Sequence, residues 1–199
     1  MYYKLLNLLV FSYILSLPVR GQSVYTDSLQ RFQQHYKEEL SGIIKGDTAS
    51  VKFFPIDQRY RVIAKVEKLP QSSFFPMATS GNISKDAIRY ALLKFQINGK
   101  EYSLYAYQLV QLMTIEKYKN DIFVPFTDFT SGDETYAGGR YIDLRTTDIS
   151  SNTILLDFNK AYNPYCAFRA GYNCPIPPKE NDLKTEIKAG EKKFAKPSH

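Results

Sequence analysis

The 199-residue sequence predicts a mainly β, α+β fold: an antiparallel β sandwich or partly closed barrel with one N-terminal amphipathic helix. Three observations lead there. Aromatic residues are abundant, 16 Tyr and 13 Phe, and such side chains favour strands. An Asn98-Gly99 pair separates two alternating runs, the signal of a type I′ hairpin. Short strand-like runs follow one another after a single helical stretch.

Taken in order, the chain opens on an expected signal peptide. Lys4 supplies a positive start, and Leu5 to Val19 is a short apolar run. Val19-Arg20-Gly21 offers a cleavage site after Gly21. The apolar run falls short of the ~20 residues of a comfortable membrane span. No cysteine follows it as a lipoprotein would require. The expectation is therefore a signal at 1–21 and one globular domain at 22–199, exported to the periplasm or beyond, with no stable membrane span after cleavage.

Asp27 and Gln30 have the spacing of a helix-capping pair. Leu29, Phe32, Tyr36, Leu40 and Ile43 then fall near one helical face, expected to cover a sheet. Ser41-Gly42 or Gly46 should end the helix. Strands are expected at Arg59 to Val66, Arg89 to Ile97, Glu101 to Leu109, Ile122 to Phe126, Gly139 to Leu144 and Thr153 to Phe158. Thr185 to Lys188 reads as a last strand, and Pro70 to Ala87 as a loop.

The formal charge is +6, of which Lys4 and Arg20 contribute two in a segment without acids, leaving +4 after cleavage. Lysines of the tail after Pro178 alternate with Glu180, Asp182, Glu186 and Glu191. Such mixed charge is a solvated surface, and no nucleic-acid partner is expected.

The stretch Phe123 to Tyr141 holds Pro125, Phe126, Asp128, Thr130, Ser131, Gly132, Glu134, Thr135, Tyr136, Gly138, Gly139 and Arg140. A polar loop between strands is a common place for function. Arg140 can grip a ligand carboxylate or phosphate, or pair with Glu134 and merely pin the loop. Asp128, Glu134 and Asp157 are the candidate acid and base of a hydrolase, although spacing sets no distance between them. Asp157, Asn159 and Asn163 sit in D-F-N-K-A-Y-N-P, a turn-forming pattern that lacks the full calcium-loop register. Phe53 to Arg61 reads F-F-P-I-D-Q-R-Y-R. Arg59 and Arg61 alternate, so they should share a strand face and meet an anion or one of the acids.

These two stretches resemble the bacterial and archaeal family called domain of unknown function 1684. Its recurrent pattern joins a strand ending in P-F to G-x-x-T-Y, two glycines and R-Y-I. A second pattern places F-P-x-D-x-R-Y-R before a strand. The resemblance spans most of the mature chain and implies no particular activity.

Cys166 and Cys174 make an even count in an exported chain, so a disulfide is the default. Closing so short a loop contributes ~2–3 kcal/mol by chain entropy. No metal site or cofactor is expected: the histidines are His35 and His199, both far from the polar block. A triad lacks its base, and the nucleophile-elbow, phosphate-loop and dinucleotide motifs are missing. The favoured expectation is a non-catalytic domain that binds a small ligand or a cell-envelope component. Its expected ligand-binding residues are Arg59, Arg61, Glu134, Tyr136, Arg140, Asn159 and Asn163. A hydrolase without a histidine base and a purely structural surface domain are the alternatives. Oligomeric state is not legible.

Overall fold

The computed structural model describes residues 20–44, 48–70 and 73–195. Residues 1–19 of the expected signal at 1–21, the helix stop at Gly46 and His199 lie outside the described residues. Helix α1 spans Arg20–Leu40. Strands follow as β1 (Arg61–Lys68), β2 (Phe75–Met77), β3 (Lys85–Ile97) and β4 (Lys100–Leu109). A one-turn helix α2 (Val110–Met113) leads to β5 (Asp121–Phe126), β6 (Arg140–Arg145) and β7 (Thr153–Asp157). They form one antiparallel sheet in the order β6-β5-β4-β3-β1-β7, with β2 on β3. The ends do not pair, so the sheet is a curled half-barrel, the partly closed barrel rather than the sandwich.

The hairpin forms where the sequence places it. Asn98 and Gly99 both take positive φ, 51° and 75°, as a type I′ turn needs. Alternation then sets the faces. Ala64, Val66, Ala91, Leu93, Phe95 and Leu104 turn inward with Ile122, Val124, Phe126 and Ile142. The concave side is filled by the chain's own return, through Phe158, Ala161, Leu183, Ile187 and Ala189.

Three local expectations need correction. The helix begins at Arg20, so Asp27 is an interior residue rather than a cap. It packs through Tyr36 and Leu40 on Val51 and Phe168, and it meets the turn at 158–160 and, through Tyr25, the ends of β1 and β7. Thr185 to Lys188 makes no strand. Its backbone is taken up instead by Phe129 N–H, which donates to Thr185 O at 2.9 Å, and by side chains described below. Part of the expected loop at 70–87 pairs as β2 on β3.

One splayed seam explains a further polar burial. Strands β4 and β5 pair only at Tyr107 and Phe123. Pro125 has no N–H to offer a ladder. Asn181 enters the gap: its Nδ2 donates to Tyr105 O at 2.9 Å and Pro125 O at 2.6 Å, and its Oδ1 accepts from Tyr105 N at 2.8 Å. The side chain thus replaces a missing stretch of strand. Among the described residues, no helix is long and apolar enough to cross a membrane.

Gly190 fixes how the tail passes the turn at 158–161. It sits at φ +76°, and a Cβ there would lie 2.6 Å from Ala161 O and 2.7 Å from Phe158 O. Gly42 has nothing within 4 Å and no positive φ. Gly190→Ala should therefore cost at least about 1–3 kcal/mol in urea unfolding, where Gly42→Ala should change little.

Candidate functional site

Most of the polar residues expected to bind a ligand are taken up by three structural networks, the first and third of which meet at Glu191. In the first, Arg140 is fully buried at the start of β6. Its Nη2 lies 3.2 Å from Asp128 Oδ1 and donates to Ile187 O at 2.9 Å. Its Nη1 donates to the carbonyls of Ala189 and Glu191. Asp128 in turn accepts from Ile187 N at 2.7 Å and from Thr130 Oγ1 at 2.8 Å. Burial pulls the Arg140 pKa down, and the Asp128 carboxylate opposes that. The expected Glu134–Arg140 pair is not formed: Glu134 meets Lys188 at 3.0 Å near the surface. Gly139, at φ +84°, brings the chain so close that a Cβ would sit 2.6 Å from Phe126 O. Tyr136 is half-buried against Gly138.

The second network fastens α1 and the 57–59 turn. Asp157 is buried and accepts from Tyr25 Oη at 2.9 Å, and from Asn159 N and Nδ2. Asn159 also bonds both backbone groups of Asp57. Arg59 forks onto Asp57, with Nη2–Oδ2 at 2.6 Å, in an exposed position. Arg61 is exposed and lies over the Tyr25 ring at 4.8 Å. The two arginines do not share a strand face, because Arg59 precedes β1 in a single 3-10 turn.

The third network holds the end of the tail. Glu191 Oε2 accepts from Tyr36 Oη at 2.8 Å and Asn163 N at 2.7 Å. Asn163 Nδ2 donates to Lys192 O at 2.8 Å. Asn163 Oδ1, Glu191 Oε1 and Arg140 Nε are buried without a hydrogen-bond partner. Burial pushes the Glu191 carboxyl up to about 7. Asp128, Glu134 and Asp157 therefore work in different networks, and the first and last are spent on structure.

Groups that face open space lie elsewhere, on the outer side of β5 and β6. Along R-Y-I-D-L, alternation turns Ile142 and Leu144 inward and Tyr141 and Asp143 outward. Tyr162 pairs with Tyr141 through N–H to O bonds of 2.9 and 3.0 Å, capping the β6 edge. That pairing carries the Tyr162 hydroxyl one pleat along, where it donates to both Asp143 oxygens at 2.9 Å. Phe123, Tyr141 and Tyr162 form a row with ring centroids 5.8 Å apart at each step.

A cleft of about 500 Å³ runs beside this row, lined also by Leu109, Leu112, Tyr118 and Pro175, with Asp121, Arg145 and Asp148 on its polar side. A second lobe of about 520 Å³ shares Tyr141, Tyr162 and Pro175. Its wall is the loop closed by the Cys166–Cys174 disulfide, which forms as expected. The Tyr165 and Tyr172 rings meet across that loop at a tilt, with centroids 5.3 Å apart. Ser80 holds the loop by accepting from Cys174 N at 3.1 Å. The larger cavity, about 870 Å³, lies on the sheet face around Lys65, Glu67 and Lys94. Its charges satisfy one another, with Lys94–Glu67 at 2.9 Å.

Burial pushes the Asp143 carboxyl up to about 6; the Tyr162 bond opposes this and the Asp121 charge adds to it. By surface area Asp143 is exposed at the cleft mouth, so solvent there screens its charge and the rise is an upper bound. Among the described residues no cation pairs with Asp143, while Arg145 stands 3.7 Å from Asp121. No three His, Cys, Asp or Glu side chains among the described residues gather as a metal site. The sequence carried one signal for this cleft: an acid and a tyrosine on the polar face of a strand. That Tyr162 would reach Asp143 depends on a pairing 21 residues away, which spacing does not encode.

A family model described as Protein of unknown function (DUF1684) matches residues 47–192. No curated protein matches the chain. A solution NMR structure of an uncharacterised protein from Haloarcula marismortui is similar to it, with 30% identity and a TM-score of 0.66. The match covers 86% of this chain and 96% of that one.

Two outcomes follow from the networks. Asp128→Ala strands a buried guanidinium and should cost about 3–5 kcal/mol in urea unfolding, against within about 1 kcal/mol for Glu134→Gln. Glu191 is raised, so between about pH 4.3, where it titrates unfolded, and about 7 the folded state holds a proton the unfolded state has released. Stability should fall as pH rises through that window. Glu191→Gln should lose roughly 1–3 kcal/mol less over it, read from melts at pH 5 and pH 8.

Proposed function

This chain belongs to the DUF1684 family, and from that premise we propose that it is an exported, non-catalytic domain that binds a small ligand in the cleft beside Tyr141, Asp143 and Tyr162. The observation that carries the reading is Asp143. It is an acid without a cationic partner among the described residues, set in a cleft walled by aromatic rings. A concave apolar pocket with a few convergent polar groups is the usual form of a ligand site. The arginine-and-acid cluster expected from sequence does not supply such a place, since Arg140, Asp128 and Asp157 are buried in structural networks.

The apolar run after Lys4 and the Cys166–Cys174 bridge support export. The ligand would then be a small molecule or cell-envelope component outside the cytoplasm. A hydrolase without a histidine base is the second reading, favoured by one arrangement: Asp143 stands in the cleft with its carboxylate oriented by the Tyr162 hydroxyl, as a general acid or base would be.

A native intact mass spectrum of the exported protein tests both. We expect added mass on the wild type that leaves on denaturation and is lost in Asp143→Asn at an unchanged melting temperature. Added mass that Asp143→Asn retains would move the ligand away from this cleft, and bare polypeptide in every preparation would favour a structural domain. Hydrolysis of chromogenic esters or glycosides that vanishes in Asp143→Asn would establish the second reading instead.

A further inference from the structure

The charge and wall chemistry of the cleft narrow its occupant. Asp121, Asp143 and Asp148 line it against the single cation Arg145. Arg145 is already committed, its Nε 3.7 Å from Asp121 and its backbone N–H donating to Asp148 at 3.1 Å. An anionic ligand would meet a surplus of carboxylates there. A neutral sugar needs several donors and acceptors around its ring, whereas beyond the acids and Arg145 the walls are apolar or aromatic, and the Tyr141 and Tyr162 hydroxyls already donate to Pro175 O and Asp143. Aromatic faces attract cations through the ring quadrupole, most strongly when the cation is desolvated. A methylated ammonium has no N–H groups to leave unsatisfied against apolar walls, so its desolvation costs less than that of a primary amine. The Tyr162 hydroxyl is spent on Asp143, which orients the carboxylate and leaves its charge unmatched by any cation among the described residues.

We infer that the cleft takes a small organic cation of the quaternary-ammonium class, its head group held by the Asp143 carboxylate and the rings of Phe123, Tyr141 and Tyr162. This rests on the reading of the cleft as the binding site. Tyr165 and Tyr172 in the neighbouring lobe continue the aromatic surface beyond the shared rings of Tyr141 and Tyr162. They give room for a substituent larger than the head group.

The test is a ¹H–¹⁵N NMR titration of the folded protein at matched ionic strength. The probes are choline chloride, its neutral carbon isostere 3,3-dimethylbutan-1-ol, and N-acetylglucosamine. Choline should shift the amides of Phe123, Ile142, Asp143 and Tyr162 saturably, at least about tenfold more tightly than the alcohol, the scale expected of a desolvated cation on aromatic rings. Asp143→Asn should remove that preference with the spectrum otherwise native. Phe123→Leu, which keeps apolar bulk and removes a ring, should weaken it independently. Equal binding of choline and the alcohol, or shifts with the sugar alone, would overturn the cation inference while leaving the cleft as the site. Silence of these amides to all three probes would overturn it too, and the mass measurement on purified protein would then decide separately whether the cleft binds anything.

Discussion

A guanidinium with no exposed surface organises this fold. Arg140 stands at the head of β6 facing the concave side of the sheet, where water cannot reach it. A buried charge of that kind is tolerable only when matched and hydrogen-bonded. Asp128 supplies the charge, and the carbonyls of Ile187, Ala189 and Glu191 supply acceptors. The pair thereby draws the last described stretch of chain across the mouth of the half-barrel. Its apolar residues Leu183, Ile187 and Ala189 complete the core that a curled open sheet leaves unfilled. From there Glu191 reaches Tyr36, so the helix is tied to the sheet through the tail.

That arrangement decides where binding is possible. The concave face, the usual cavity of a barrel, is occupied by the protein's own chain. The polar loop between β5 and β6 is spent on holding it. Apart from the cavity around Lys65, Glu67 and Lys94, whose charges pair with one another, open space lies on the outer side of β5 and β6, where the sheet edge is closed by Tyr162 and the disulfide loop stands beside it. Phe123, Tyr141 and Tyr162 here pack outside the main core, and Asp143 has no cationic partner among the described residues. A structural acid and a functional one are thus separated by environment. Asp128 is saturated by donors and a cation, while Asp143 has a single phenol and a cleft.

The disulfide fits the same division. It closes a loop that contributes no strand, and the rings it positions, Tyr165 and Tyr172, line the cleft rather than the main core. Its local role is to keep a wall in place.

Elements that arise from near neighbours can be read from the residues alone. Alternation, the Asn98-Gly99 turn and the single amphipathic run specify strands, hairpin and helix, because period and turn chemistry are local. The family resemblance, the mainly β class and the cysteine bridge were legible for the same reason. The tertiary structure alone decided partners. Arg140 could be seen as needing a carboxylate, yet Glu134 is nearer to it in sequence than Asp128, and only the path of residues 187–191 selects Asp128. Thr185 to Lys188 has strand-like composition, but side chains from Asp128 and Arg140 take the bonds a ladder would have used. Asp143 reads as an ordinary exposed strand residue until β6 acquires Tyr162 at its edge. Each of these depends on contacts between distant segments, which side-chain spacing along one chain does not carry.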